Sequence, residues 1–286
     1  MIPDYPQRLN LLIGQALKED VGAGDHSTLC CIDENARGKA RLKVKDTGIL
    51  AGVEVAEQVF RYLEPTVVFQ AHMRDGDFMK PGDIAFEVKA SVRTILQAER
   101  LALNCMQRMS GIATLTHRYV DRLRGFSTRL LDTRKTTPNF RLLEKAAVCI
   151  GGGSNHRFGL FDMIMLKDNH IDYCGGIEKA LDRAYDYVHR NGYGLKIEVE
   201  TRSLGDVERV LRSGKADIVM LDNFTPELVS EAVHLIGGRM QTEASGGITL
   251  DNIADYAAAG VDFVSSGAVI HQAVSLDLSL KAVLQP

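Results

Sequence analysis

The 286-residue sequence predicts an α/β fold in which a parallel α/β barrel follows a smaller α+β domain. Three observations predict it. Beyond about residue 126, short apolar segments alternate with amphipathic ones, the pattern of repeated strand–helix units. Before residue 100, runs such as ARLKVKDTGILAG alternate with period two and mark a separate sheet. Finally, polar residues collect at the trailing ends of the later apolar segments, where a parallel α/β barrel builds its active site.

Taken in order, Leu9, Leu11, Leu12, Ile13, Ala16 and Leu17 lie at mostly helical spacing, and the turn-rich VGAGDHST closes that helix. Strands follow in ARLKVKDTGILAG and TVVFQAHM, with VEVAEQVFRYL (residues 53–63) an amphipathic helix between them, and MKPGDIAFEVKA supplies a turn and another strand. A long apolar-periodic helix over residues 92–110 is expected to stop at Gly111 and to link the two domains. Beyond it come STRLLDT and a helix near 140–149, then DMIMLKD and 177–190, LKIEVET and 204–212, ADIVMLDN and 226–235, QTEASGG and 250–259, and VDFVSSG. The number of units suggests closure into a barrel. The expected boundaries are 1–111, 112–268, and a tail at 269–286 that returns to the first domain.

Composition excludes several classes. No apolar run approaches the length of a membrane span, and the first residues, MIPDYPQRLN, lack the pattern of a secretory signal, so the cytoplasm is the expected compartment. The five cysteines show no CxxC pair or zinc spacing, an odd count cannot pair fully within the chain, and they are expected to be buried or idle thiols. Net charge is −3, yet residues 100–170 hold 12 Lys or Arg against 5 acidic groups. A basic centre in an acidic chain points to a focused anion site; a nucleic-acid surface calls for a basic domain as a whole.

The candidate chemistry sits at the strand ends. Arg134 and Lys135 close the first barrel strand beside Asp132 and Thr133, and Arg157 and Lys167 flank GGGSNHRFG and DMIMLKD. Arginine presents a planar fork suited to carboxylate or phosphate, and lysine a compact charge. Asp132 and Asp168 can neutralise at most two of these four cations, so an anionic ligand is expected. His156 and His170 join the same segment as candidate donors. Glu198 and Glu200 share one face of a strand, and Asp222 ends the next. These carboxylates can orient hydroxyls, hold Mg²⁺ with substrate phosphates, stabilise positive charge on a sugar, or neutralise Lys167. EASGGIT and VSSGAVIH place Ser245, Gly246, Gly247, Ser266 and Gly267 after the last two strands, a region of such barrels that frequently holds phosphate.

LDTRKTTPNFR, GGGSNHRFGLFDMIMLKDNHI, IEVET, DIVMLDNF, EASGGIT and GVDFVSSGA, in this order, resemble the quinolinate phosphoribosyltransferase family, as do LKEDVGAGDHST and QAERLALNCMQRMSGIAT upstream. The resemblance implies an incomplete α/β (TIM-like) barrel with an N-terminal α+β sandwich domain, assembled as a homodimer whose active site mixes subunits. It implies that quinolinate and phosphoribosyl pyrophosphate give nicotinate mononucleotide, pyrophosphate and CO₂ with Mg²⁺, with neither nucleic acid nor membrane as a partner. By the family pattern Thr133, Arg134, Lys135, His156, Arg157 and Lys167 line the anionic pocket, and Arg100 reaches in from the neighbouring subunit. Glu200 and Asp222 match the acidic pair near ribose and metal, the Mg²⁺ being held mainly by substrate phosphates. Ser245–Gly247 and Ser266–Ala268 match the phosphate turns. Lys135, Lys167, Glu200 and Asp222 are the expected catalytic groups.

Two rivals share parts of this pattern. A relative acting on a monocarboxylate acceptor would need fewer cations than this set. A non-catalytic anion sensor would have no reason to keep Glu200 and Asp222.

Overall fold

Leu9, Ile13 and Leu17, four residues apart, form the buried stripe of helix α1 (Tyr5–Val21), as a 3.6-residue period requires. In this computed structural model, which describes residue 2 and residues 4–283, contacts divide the chain into two compact units.

The first unit comprises 1–117, 136–152 and 269–286. After α1 and the short α2 (His26–Cys31) come β1 (Arg37–Val44), β2 (Gly48–Ile49), α3 (Val53–Leu63), β3 (Val68–Ala71), β4 (Phe78–Met79) and β5 (Ile84–Ser91). Alternation along β1 buries Ala40, Leu42 and Val44 and turns Arg41 and Lys43 outward. Phe60 of α3 packs edge-on to Phe86 of β5, with Phe69 of β3 against the same ring, so one aromatic cluster fastens the helix to the sheet. The expected tail contains β12 (Leu278–Ala282), which pairs antiparallel with β1 and completes the order β12-β1-β5-β3. Its last three residues, 284–286, lie outside the described residues.

Helix α4 (Val92–Arg122) does not stop at Gly111. Glycine is a poor interior helix residue, which is why the sequence reads as a stop there. Its role is close approach: a Cβ on Gly111 would lie 2.1 Å from the Val274 carbonyl oxygen. The same crossing is bonded by the Leu276 amide to the Gln107 carbonyl and by Arg108 Nη1 to the Ala273 carbonyl. The contact division also departs from chain order, since α5 (Arg141–Ile150) belongs to the first unit. Fully buried Glu144 of α5 accepts from Arg108 Nη2 of α4 at 3.0 Å and from the Thr137 amide, which binds this segment to the helix.

The second unit comprises 118–135 and 153–268. Its strands are β6 (Arg129–Leu131), β7 (Ile164–Leu166), β8 (Ile197–Thr201), β9 (Ile218–Asp222), β10 (Gln241–Ser245) and β11 (Phe263–Ser265). Helices α6 (Asp168–Cys174), α7 (Ile177–Asn191), α8 (Leu204–Ser213), α9 (Pro226–Ile236) and α10 (Ile253–Ala258) connect them, and α11 (Ala268–His271) follows. Ser203 and Thr225 cap α8 and α9 through their side-chain oxygens. Val199, Leu221, Ala244 and Val264 face outward under helix residues such as Leu181, Val210 and Ile236, all fully buried.

The strands are parallel in the order β6-β11-β10-β9-β8-β7. Because β6 pairs with β11 while β7 pairs only with β8 among the described residues, the ring is open between its first two strands. This is an incomplete barrel; the closed ring suggested by unit count alone does not form. In the gap lies the segment 153–159, where Ser154 bridges to Leu131.

Candidate active site

Parallel register decides which side chains enter the barrel. Glu200 pairs with Met220, Met220 with Glu243, Asp222 with Ser245, and Ser245 with Ser265, so these residues share the inner face. At the carboxyl ends of the strands Met220, Asp222, Glu243, Ser245 and Ser265 border a cavity of about 520 Å³, wholly within the second unit, whose lining does not include Glu200. Arg134 and Lys135 follow β6, Arg157 comes from the gap segment, and Lys167 follows β7. Thus the four expected cations line one cavity, with Thr133 and His156 beside them. Asp222, Ser245, Gly246 and Gly247 line the other side.

Arg157 feels this crowding. Partial burial and the charge of Arg134 depress its proton affinity, while Glu198 and Asp162 oppose the effect. Arginine remains charged under such perturbation. Its Nη1 donates to the Met163 carbonyl at 3.3 Å.

Glu200 is buried and forms an ion pair with Lys167 at 3.5 Å. Burial raises its pKa above the ordinary carboxylate range, and the charges of Asp222 and Asp168 add to the rise against the opposing pull of Lys167. The Asn223 side chain donates to Asp222 at 2.7 Å. At the serine–glycine turn, Ser265 Oγ donates to Ser245 Oγ and the Asn223 amide to the Ser245 carbonyl. Gly246 has φ of 92°, and a Cβ there would lie 2.2 Å from Asn223 Oδ1, so this turn needs glycine for both conformation and space.

Several expected residues fall elsewhere. Ser266 is buried, its hydroxyl donating to the Ile248 carbonyl and its amide to the Leu131 carbonyl, so it secures the turn from behind. Ala268 begins α11, and neither it nor Gly267 lines the cavity. His170 accepts the Lys167 amide through Nδ1 at 3.0 Å, which makes it a cap of α6. Arg100 is exposed on α4 in the first unit.

The ring of His156 is turned inward. Its Nε2 lies 2.9 Å from Glu198 Oε2 and 3.3 Å from Glu243 Oε2, and its Nδ1 accepts the Arg157 amide at 2.7 Å. Burial disfavours a charged ring, but the two carboxylates outweigh it and push its pKa up to about 10. Burial and the charge of Glu243 raise Glu198 to about 7 against the opposing effect of His156. A charged ring would also carry a proton on Nδ1, set against the Arg157 amide. The 2.7 Å contact therefore belongs to the neutral tautomer with its proton on Nε2, and it opposes the carboxylates' pull toward a charged ring. His156, Glu198 and Glu243 could also surround a metal ion, their ligand atoms lying within 4.8 Å of one another. A metal on Nε2 would require the proton on Nδ1, where the Arg157 amide already donates.

Glu243 was not among the residues expected from the sequence. Its signal was present: it lies two residues before Ser245 on the same strand and so shares its face.

Similarity to known proteins follows this geometry. The family model described as "Quinolinate phosphoribosyl transferase, C-terminal domain" matches residues 112–281, and the corresponding N-terminal domain model matches residues 25–110. The chain is 41% identical to the chloroplastic nicotinate-nucleotide pyrophosphorylase [carboxylating] of Arabidopsis thaliana, over 98% of this chain and 84% of that protein. It is 38% identical to a probable nicotinate-nucleotide pyrophosphorylase [carboxylating] of Bacillus subtilis (strain 168), over 97% and 94%. The crystal structure of NadC from Streptococcus pyogenes superposes with a TM-score of 0.90 at 42% identity, over 96% of each chain.

Proposed function

Because this chain belongs to the quinolinate phosphoribosyltransferase family, we propose that its barrel cavity joins quinolinate to phosphoribosyl pyrophosphate. The reaction gives nicotinate mononucleotide, pyrophosphate and CO₂, a step of NAD biosynthesis. The observation that carries the reading is the gathering of Arg134, Lys135, Arg157 and Lys167 in one cavity opposite Asp222 and the Ser245–Gly247 turn. Quinolinate brings two carboxylates and the second substrate a phosphate and a pyrophosphate; removing these from water requires several cations.

In this reading Arg134 and Arg157 hold the pyridine carboxylates, while the turn at Ser245–Gly247 receives the phosphate. Glu200 and Asp222 stabilise the positive charge that develops on the ribose as pyrophosphate leaves, and Lys135 and Lys167 balance the leaving group. Once ribosylated, the cationic pyridine ring accepts the electron pair left by departing CO₂, so no dedicated base is needed for that step.

The acidic pair suits Mg²⁺. Burial raises Glu200 and the charge of Asp222 adds to the rise; a hard divalent cation would offset both, and carboxylate oxygens are the donors such a cation prefers. When bound with the substrate phosphates, Mg²⁺ supplies charge stabilisation to the departing pyrophosphate. The family resemblance further supports a homodimer in which Arg100 completes the neighbouring subunit's pocket. A reducing, cytoplasmic compartment agrees with the five cysteines, all of them free thiols. No helix among the described residues is long and apolar enough to cross a membrane.

The direct test incubates the purified protein with quinolinate, phosphoribosyl pyrophosphate and Mg²⁺ and follows nicotinate mononucleotide and CO₂. Stoichiometric appearance of both is expected. Absence of product across a Mg²⁺ titration would overturn the reading.

A further inference from the structure

The open edge of the barrel creates a positioning problem. Arg157 is carried by a segment that lies between β6 and β7 with little strand pairing of its own, yet its guanidinium must meet a ligand at a defined place. On one side Asp132, itself fully buried, accepts the His156 amide at 2.8 Å and the Asn155 side-chain amide at 2.6 Å. On the other, the His156 side chain crosses the interior to Glu198 of β8 and Glu243 of β10.

We propose that Glu198 and Glu243 are positioning residues of the carboxylate pocket: from inside the barrel they hold Nε2 of His156, and through that ring they fix the main chain and guanidinium of Arg157. Three observations carry this. Glu198 and Glu243 are 0% and 1% exposed, and their four carboxylate oxygens accept no hydrogen bond of good geometry among the described residues. Two buried carboxylates so placed are costly unless they face a donor. The nearest is the Nε2–H of His156. Next, the other ring nitrogen accepts the Arg157 amide, so His156 links the two carboxylates to its neighbour's main chain. Lastly, Glu198 opposes the repulsion that Arg134 exerts on Arg157, so the same carboxylate that orients the ring also favours two arginines side by side. Orientation and charge balance come from one cluster.

The inference rests on quinolinate binding at Arg134 and Arg157, and its test is arranged to fail separately from that reading. Wild-type protein, Glu198→Gln, Glu243→Gln and the double variant are assayed with each substrate varied at saturation of the other. Glutamine keeps the shape and removes the charge. The KM for quinolinate should rise about tenfold or more in the double variant, a loss of about 1.4 kcal/mol in binding. The KM for phosphoribosyl pyrophosphate should stay within about twofold, since the phosphate turn is untouched. Glu198→Asp, which retains the charge, should restore part of the quinolinate affinity. Should the double variant fail to fold by circular dichroism, each single variant carries the same comparison.

An unchanged quinolinate KM in folded variants, or an equal rise for both substrates, overturns the proposal. So does a stoichiometric metal retained by the native protein and lost in the double variant, because Nε2 would then be a ligand. Wild-type protein that makes no nicotinate mononucleotide overturns the functional reading instead.

Discussion

Lys167 Nζ, at the end of β7, lies 3.5 Å from Glu200 Oε2 on the adjacent strand β8. The two partners differ in freedom: the lysine side chain is 49% exposed and the glutamate 8%. A half-exposed lysine on a flexible stem can leave this contact for an incoming phosphate, whereas Glu200 is held by the strand. Such a pair contributes little to stability, and its significance lies in where it leaves each charge once substrates bind.

Glu200→Gln should therefore lower kcat by about 10²-fold while changing the KM for quinolinate little, as expected for a charge used in the transition state. Arg134→Ala should do the opposite, raising the KM for quinolinate more than it lowers kcat. Steady-state kinetics of both variants check the assignment. The reverse pattern would exchange the two roles.

Arg100 tests the shared site. Arg100→Ala and Lys135→Ala should each be nearly inactive, and mixing them with subunit exchange should restore about a quarter of wild-type activity: half of the dimers are hybrids, and each hybrid contains one intact site. Exchange is verified by mass spectrometry of differently tagged subunits. No recovery after verified exchange would mean that Arg100 acts within its own subunit or not at all.

Gly111 offers a structural test in the first unit. Gly111→Ala would favour an isolated helix, yet the added methyl meets the Val274 carbonyl at 2.1 Å. Overpacking against backbone should cost about 1–3 kcal/mol and lower Tm by several degrees. Thermal unfolding followed by circular dichroism reads the sign. An increase in Tm would show that the crossing segment yields without cost.

Stability should also depend on pH through Glu64, which accepts the Ser91 amide at 2.9 Å and Arg37 Nη1 at 2.7 Å. Burial alone would raise its pKa, but these contacts outweigh it and hold the carboxyl below the ordinary glutamate range. A depressed carboxyl contributes stability above its unfolded pKa and loses it as pH falls through the folded value. Glu64→Gln should therefore lower Tm at pH 7 by about 2–4 °C, for a loss on the order of 1 kcal/mol. The difference from wild type should shrink by pH 3. A constant difference at both pH values would show that shape, not charge, carries the contact.

Much of the cavity was legible in the sequence because a parallel strand delivers its last residues to one end of the barrel. Arg134, Lys135, Lys167 and Asp222 needed only the strand–helix alternation to be placed there. Glu243 was recoverable from the period-two rule beside Ser245. His170, by contrast, sits in the same basic segment as the ligand-facing cations, and only the observed hydrogen bond to the Lys167 amide separates a helix cap from a site residue.

The sequence by itself determined the kinds of element, the sign of the site and the family, since periodicity, charge and ordered motifs are properties of the chain read locally. Tertiary structure alone decided that the ring opens between β6 and β7, that Gly111 continues a helix, and that His156 turns inward to Glu198 and Glu243. Each of these depends on groups distant in sequence: β6 with β11, Gly111 with Val274, and His156 with two strands that follow it by 42 and 87 positions. Hydrophobic period and local propensity have no access to such pairs. Their energies arise only when the chain has packed and buried charges must find partners.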